Sequence, residues 1–259
     1  MSLLLRTTAL MLLLLSRAPA MAAVPLTTNS TEDNREESQQ NEVSSKLFRH
    51  SLSGLYGIAN QNYPIVQPYQ DFDVLYSKAH QAQIELETLC KSTALLTHTQ
   101  AYFAGTKSRQ RALEKVELEL DGQAERITDL ARATIVANDV ASLVTAYETL
   151  SREATVVKVK NRFKNPAESG YRDLNVLVQL PKTGIIAEVQ LHLAAIAQVK
   201  SGAEHELYEQ IQTIERTARQ EQRELTEWEN AQIAKMRSAS RDLYQQAWQP
   251  YITTRIQAA

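Results

Sequence analysis

The sequence predicts an α+β domain in which a mixed β-sheet is flanked by N-terminal and long C-terminal helices. Between 154 and 192, three runs alternate apolar and polar residues with period two, the pattern of strands with one buried face. Before them, from Phe72, and after them, to about Arg237, apolar residues recur at three-to-four spacing, the pattern of amphipathic helices. Turn formers separate the segments: Gly105, Gly122 and the run Leu180-Pro181-Lys182-Thr183-Gly184. Strands grouped together, with helices outside them, define the class.

The elements follow in order. Residues 1–23 hold an apolar run from Ala9 to Leu15, preceded by Arg6 and followed by Ala18-Pro19-Ala20 and Ala20-Met21-Ala22, both of which fit an A-x-A cleavage pattern. They read as a secretory signal peptide. The run is too short for a transmembrane helix, which needs about 20 apolar residues, and no later segment reaches that length. A secreted or periplasmic location, with no membrane attachment after cleavage, is the expectation. The segment 24–70 has too few apolar side chains in its first half to offset the entropy of ordering, and reads as disordered or irregular.

The domain is expected over 71–240, with a C-terminal tail at 241–259. Leu75, Ala79, Ala82, Leu86, Leu89, Leu95 and Leu96 predict one long or two short helices over 72–103, ended by Gly105. A helix over 109–120 turns Leu113, Val116 and Leu120 inward, and Gly122 breaks it. The apolar, β-branched end of 127–137 predicts a strand, and Asp139 caps a helix through Leu150. Strands follow at 154–163, 171–180 and 184–192, the last two joined as a hairpin. From His192 to about Arg237 the chain reads as helix, with Ile211, Ile214, Ala218, Leu225, Trp228 and Ile233 as its apolar stripe.

With 28 basic against 30 acidic residues, nothing in the net charge favours DNA or an anionic membrane, so any phosphate binding must come from local clusters. A single cysteine, Cys90, excludes an internal disulfide, and its helical setting suits a small core residue. No histidine spacing suits zinc.

Two cationic clusters stand out. Lys107, Arg109, Arg111 and Lys115 fall within nine positions. Lys158, Lys160 and Arg162 share one face of a strand, where like charges repel unless an anion sits among them. A triphosphate would be such an anion. Glu188 lies mid-strand between apolar residues, where a carboxylate needs a metal or cation; its plainer role is an ion pair with Lys160 or Arg162. Together Glu188 and Asp129 meet the minimal need of phosphoryl transfer, in which Mg²⁺ bridges donor phosphates and a carboxylate takes the acceptor proton. Gln190 can read a base or satisfy backbone groups. Tyr171, after Ser169-Gly170 at a strand entrance, is placed for an exposed stacking ring, with an ordinary core aromatic as the alternative.

The stretch Asn165-Pro166-Ala167-Glu168-Ser169-Gly170-Tyr171-Arg172-Asp173-Leu174, followed by Ala187-Glu188-Val189-Gln190-Leu191, resembles the synthetase domain of the RelA/SpoT family. The resemblance covers roughly 75–210. It implies a nucleotidyltransferase-like fold and a nucleotide pyrophosphokinase, using Mg²⁺ and transferring pyrophosphate from ATP to the 3′ hydroxyl of GDP or GTP. On it, Tyr171 stacks on the acceptor base, with Asn175 and Gln190 beside it. Asp129 and Glu188 hold the metal or activate the 3′ hydroxyl, and Lys107 and Lys115 bind the ATP phosphates. The chain differs from the family pattern in having Gly105 for Arg, Asn175 for His, Asp129-Leu130-Ala131-Arg132-Ala133-Thr134 for D-x-x-G-x-R, and Leu191-His192-Leu193 after E-x-Q. The acceptor therefore stays open among guanine nucleotides, adenine nucleotides and an RNA 3′ end. No His-Asp pair of the family's hydrolase domain occurs, so no alarmone hydrolysis is expected. Export points to an effector or toxin. The rival from another class is a non-catalytic binding or scaffold protein on the same fold, pairing through its long C-terminal helix.

Overall fold

The computed structural model describes residues 43–253, so the expected signal peptide lies outside the described residues. In chain order they form α1 (Leu52–Gly57), β1 (Gln61–Asn62), α2 (Phe72–Thr97), β2 (Gln100–Tyr102), α3 (Arg109–Glu119), a 3-10 turn (Ala124–Arg126), β3 (Arg132–Ala137), α4 (Val140–Glu153), β4 (Thr155–Asn161), β5 (Leu174–Gln179), β6 (Ile186–Leu193), α5 (Ala194–Ser201), α6 (Ala203–Gln220) and α7 (Glu227–Thr253). The strands make one mixed sheet in the order β1-β4-β5-β6-β3-β2. Only β3 and β6 run parallel; the other neighbours are antiparallel. The α+β class is as predicted.

Alternation gives the sheet two unlike faces. Ala133 and Ile135 of β3, Val159 of β4, Leu174, Val176 and Val178 of β5, and Ala187, Val189 and Leu191 of β6 are buried on one of them. Helices α2 and α4 cover that face, packing on each other and on β3, with Leu75, Ala82, Leu86, Leu143 and Leu150 fully buried. Each leucine, isoleucine or valine among them contributes about 1.5–3 kcal/mol on leaving water, so this layer is a main source of the fold's stability. Cys90 lies in it, where burial pushes the thiol up to about 12 and leaves it a packing residue. The opposite face is polar, and helices α5, α6 and α7 pack together at its end.

Local signals explain the boundaries. Asp71 and Asp139 accept from Val74 N–H (2.9 Å) and Ser142 N–H (2.7 Å), capping α2 and α4. The β5–β6 hairpin turns at Gly184 (φ +69°), and Glu85 of α2 accepts the turn's Lys182 and Thr183 N–H groups at 2.7 and 3.0 Å.

Several expectations are corrected. Helix α2 ends at His98 in a left-handed conformation, seven residues before Gly105, and Leu95 and Leu96 face solvent. Strand β3 begins at Arg132, five residues later than expected. A bulge in β4 pairs Val156 with Val178 and Lys158 with Leu177, so Val157 has no opposite residue. The single helix expected from His192 is three, broken at Gly202 and again before Thr226. There Thr226 and Glu229 form a reciprocal cap, the hydroxyl accepting Glu229 N–H (3.2 Å) and the carboxylate accepting Thr226 N–H (2.8 Å). Trp228, expected in the stripe, is exposed. The expected tail from 241 is helical to Thr253, and Tyr244 and Trp248 are core residues.

Nor is the segment before Phe72 irregular throughout. Leu55 of α1 is fully buried, and Asn161 ties the helix to the sheet by donating to Leu55 O (2.7 Å) and Ile58 O (3.1 Å). Gln67 donates to Ile127 O and Ile186 O at 2.8 Å each and accepts Ile186 N–H at 2.9 Å, binding the start of β6 to the loop before β3. Period counting misses such links because they join single polar side chains to distant backbone.

Candidate active site

Residues paired across neighbouring strands point to the same face. Register therefore lines up two rows on the polar face. One runs Lys158, Leu177, Glu188, Arg132, and the other Lys160, Asn175, Gln190, Thr134. Adjacent strands are about 4.8 Å apart, so each row crosses about 14 Å of sheet. The expected residues Lys158, Lys160, Asn175, Glu188 and Gln190 thus stand on one surface. Glu188 makes no ion pair with Lys160 or Arg162; its Oε1 accepts from Asn175 Nδ2 at 2.6 Å. Asn175 therefore orients the carboxylate without neutralising it.

Asp129 lies three residues before Arg132, whose register partner is Glu188. Its Oδ2 accepts Lys107 Nζ at 3.0 Å and Lys115 Nζ at 2.9 Å, and its side chain is 13% exposed. Burial pushes the carboxyl upward, but Lys115 and Lys107 outweigh it and hold Asp129 below the usual carboxylate range. Lys107 is fixed by its backbone, donating to Leu130 O (2.9 Å) and accepting the Tyr76 hydroxyl (3.0 Å). Lys115 is fixed because Ala112 and Val116 of the same helix are buried. The other oxygen of Asp129, Oδ1, is buried without a hydrogen-bond partner. A buried carboxylate oxygen with free lone pairs suits a hard cation. Among the described residues no cluster of three metal-ligating side chains occurs. Asp129 Oδ1 has the free lone pairs that suit Mg²⁺, an ion bound through one or two carboxylates plus substrate phosphates.

The remaining cations of that cluster turn elsewhere. Arg109 pairs with exposed Asp73 (2.6 Å) and lies over the Phe72 ring (5.5 Å), and Arg111 is exposed. The structure does not bring either to Asp129. Arg162 is not a free cation either: its Nε and Nη2 donate to the two oxygens of Asp173 at 2.6 and 2.8 Å, and Asp173 is fully buried.

A cavity of about 570 Å³ opens at the end of the polar face, lined by Lys160, Arg162, Tyr171, Gln190, Lys200 and Glu204 among others. Tyr171 is half-buried, not freely exposed. Its hydroxyl donates to Asp173 Oδ2 (2.9 Å) and meets His192 Nε2 (2.6 Å), and its ring lies edge-on to Tyr244 (5.6 Å). Burial, then the Asp173 charge, push the phenol far above its ordinary value, so it stays a hydroxyl. Burial, with Lys200 and Arg162 adding to it, pulls His192 down to about 3, so the ring is neutral. Gly170 makes this placement possible: φ is +82°, and a Cβ there would sit 3.1 Å from Arg241 Cα of α7.

Asp173, Lys200, Glu204 and Tyr244 are the site residues that sequence reasoning missed. Lys200 donates to Gln190 Oε1 at 2.6 Å and lies 5.7 Å from the Tyr171 ring centre; the Tyr244 hydroxyl donates to Glu204 Oε2 at 2.9 Å. The signals were slight: Gly202 in a polar helix, and the Thr226-Glu227-Trp228-Glu229 cap that starts a new one.

Residues 105–217 match the region found in RelA/SpoT proteins. The (p)ppApp synthetase toxin Tas1 of Pseudomonas aeruginosa (strain UCBPP-PA14) is 31% identical over 121 residues, which are 47% of this chain and 27% of that protein. The match thus spans about a quarter of that relative's length. Among solved structures, the complex of the type VI effector Tas1 with its immunity protein has a TM-score of 0.49 at 24% identity, covering 68% of this chain and 96% of that one. The small alarmone synthetase 2 of Bacillus subtilis has a TM-score of 0.49 at 17% identity, covering 66% and 90%. The matched region holds Lys107, Lys115, Asp129, Tyr171 and Glu188 alike, and over residues 105–217 the chain is similar to the region found in RelA/SpoT proteins.

Proposed function

We propose that this protein is a nucleotide pyrophosphokinase, moving the β,γ-pyrophosphate of ATP to the 3′ hydroxyl of a purine nucleotide, with a guanine nucleotide as acceptor. The observation that carries this is the continuity of one polar sheet face. That face carries Glu188 in its middle and the Tyr171 cavity at one end, while the Lys107–Asp129–Lys115 cluster lies on α3, the residues just before it and the segment that leads into β3, the strand paired with that of Glu188. Lys107 and Lys115 clamp the donor phosphates, exchanging the Asp129 carboxylate for phosphoryl oxygens. Lys158 and Lys160 extend that cationic track. Tyr171 carries the acceptor base on its ring, while the bonds of its hydroxyl with Asp173 and His192 fix the ring's tilt. Glu188, steadied by Asn175, takes the 3′ proton as the oxygen attacks the β-phosphorus; the bond from that phosphorus to the bridging α–β oxygen breaks, and AMP leaves. Asp129 Oδ1 and Glu188 would hold Mg²⁺, which supplies neutralisation of the donor phosphates.

A second acceptor is favoured by one observation, since the relative from Pseudomonas aeruginosa is called a (p)ppApp synthetase toxin, which points to adenine. The same relative, with the apolar run at 9–15, supports an exported toxin. The test is chromatography of labelled products after incubating the chain from about Val24 onward with γ-labelled ATP, Mg²⁺ and, separately, GDP, GTP, ADP and bulk tRNA. Label is expected on a nucleotide and lost in Glu188→Gln. No transfer to any acceptor by folded protein would move the function to the non-catalytic binding protein. Export is tested by the mass of the chain recovered outside the cytoplasm, which should lack about 20 to 23 N-terminal residues.

A further inference from the structure

Lys200 and Glu204 are opposite charges in one cavity that do not pair. Lys200 ends α5 and Glu204 lies in the first turn of α6, with the break at Gly202 between them. That break needs glycine, because a Cβ there would meet Gln198 O at 2.9 Å. Each charge is held by its own neutral partner, Lys200 by Gln190 Oε1 at 2.6 Å and Glu204 by the Tyr244 hydroxyl at 2.9 Å. They are near enough to feel one another, yet they form no ion pair among the described residues. Burial dominates at both, pulling the ammonium down and pushing the carboxyl up. A half-buried ammonium and a carboxylate 5% exposed, kept apart at the wall beside Tyr171, leave a gap with a donor on one side and an acceptor on the other. Separated charges of this kind gain most when a ligand edge of matching polarity fills the gap.

We propose that Lys200 and Glu204 read the Watson–Crick edge of the acceptor base and select guanine, Lys200 donating to O6 and the Glu204 carboxylate accepting from N1–H and the N2 amine. The assignment rests on the pyrophosphokinase reading for its ligand. Guanine offers acceptor, donor, donor along that edge. Adenine in the same pose sets its N6 amine against the ammonium and its N1 lone pair against the carboxylate, so both contacts turn repulsive. Discrimination by such a pair amounts to about tenfold to a hundredfold.

The experiment combines transfer with binding. With Mg²⁺·ATP as donor, kcat/KM is measured for GDP, ADP, IDP and XDP in the parent chain, Lys200→Met and Glu204→Gln. Separately, calorimetry gives the dissociation constants of GDP and ADP without ATP. The parent is expected to prefer GDP to ADP about tenfold or more, with IDP, lacking the N2 amine, between them. Both variants should lower the GDP:ADP ratio, mainly through KM. Glu204→Gln should also gain on XDP relative to GDP, because its amide can donate to the 2-oxo group; that gain would not come from a protein that merely failed to fold. A parent that uses or binds ADP as well as GDP overturns the assignment, as do variants that leave the ratio unchanged. If no nucleotide accepts pyrophosphate but GDP still binds selectively and loses that selectivity in Glu204→Gln, the base-reading pair stands and the pyrophosphokinase reading falls.

Discussion

Arg162 and Asp173 form a two-armed ion pair, Nε and Nη2 reaching the two carboxylate oxygens at 2.6 and 2.8 Å, with Asp173 fully buried. The pair also closes a backbone bond, Arg162 N–H to Asp173 O at 2.9 Å, and its carboxylate accepts the Tyr171 hydroxyl. An arginine that looked like a phosphate ligand is therefore the counter-charge that sets the ring.

Breaking that pair from one side strands the other charge. Arg162→Met should destabilise the protein by about 3–5 kcal/mol, because Asp173 is left buried without compensation. Urea unfolding followed by circular dichroism reads this; a loss below about 1 kcal/mol would show that the carboxylate finds water or another partner.

Glu188→Gln should lower kcat by about a hundredfold to ten-thousandfold, the range for removing a positioned general base. The amide keeps an oxygen for Asn175, so the unfolding midpoint should hardly move. Comparable kcat in the variant would assign the proton to another group.

The two basic clusters should separate in the KM for ATP. Lys107→Ala and Lys115→Ala are expected to raise it about tenfold or more, each removing a charged phosphate contact. Arg109→Ala and Arg111→Ala should change it less than about threefold, since Arg109 is spent on Asp73 at the surface and Arg111 lies in solvent.

Asp129→Asn leaves Lys107 and Lys115 close together without a carboxylate. A loss of about 1–3 kcal/mol in stability is expected at low salt, reduced by added phosphate or sulfate, which would replace the missing anion. The parent should gain less from the same salts; equal gains would mean that Asp129 does not occupy a phosphate site.

His192 makes stability depend on pH. Its folded value, about 3, lies below its ordinary 6.5, so the unfolded chain binds a proton that the folded one refuses. Above the ordinary value the group contributes no pH dependence. As pH falls from 6.5 to 5 the folded state should lose about 2 kcal/mol from this group, the loss levelling off near pH 3. In His192→Asn that part of the slope should vanish, whatever the variant's stability at neutral pH.

Much of the sheet was legible in the sequence. Period two in β5 and β6, Asp139 before α4 and the hairpin ending in Gly184 each depend on near neighbours, so the sequence exposes them directly. The polar row Glu188–Gln190 was legible for the same reason, since alternate residues of one strand must share a face. Single strands do not reveal their neighbours' register. Only the fold sets Glu188 against Asn175, or shows through the bulge at Val157 which face of β4 continues the core.

What the sequence determined by itself is the set of side chains and, in the unbulged strands, which of them share a face, because regular strand backbone alternates whatever the chain packs against. What the tertiary structure alone decided is which charges are free. Lys107 and Lys115 share Asp129, and Arg162 is consumed by Asp173. Lys200 and Glu204 are turned into one cavity by a helix break and kept apart by Gln190 and Tyr244. Charges interact through space with a strength set by distance and burial, and both are properties of the packed chain that residue order does not carry.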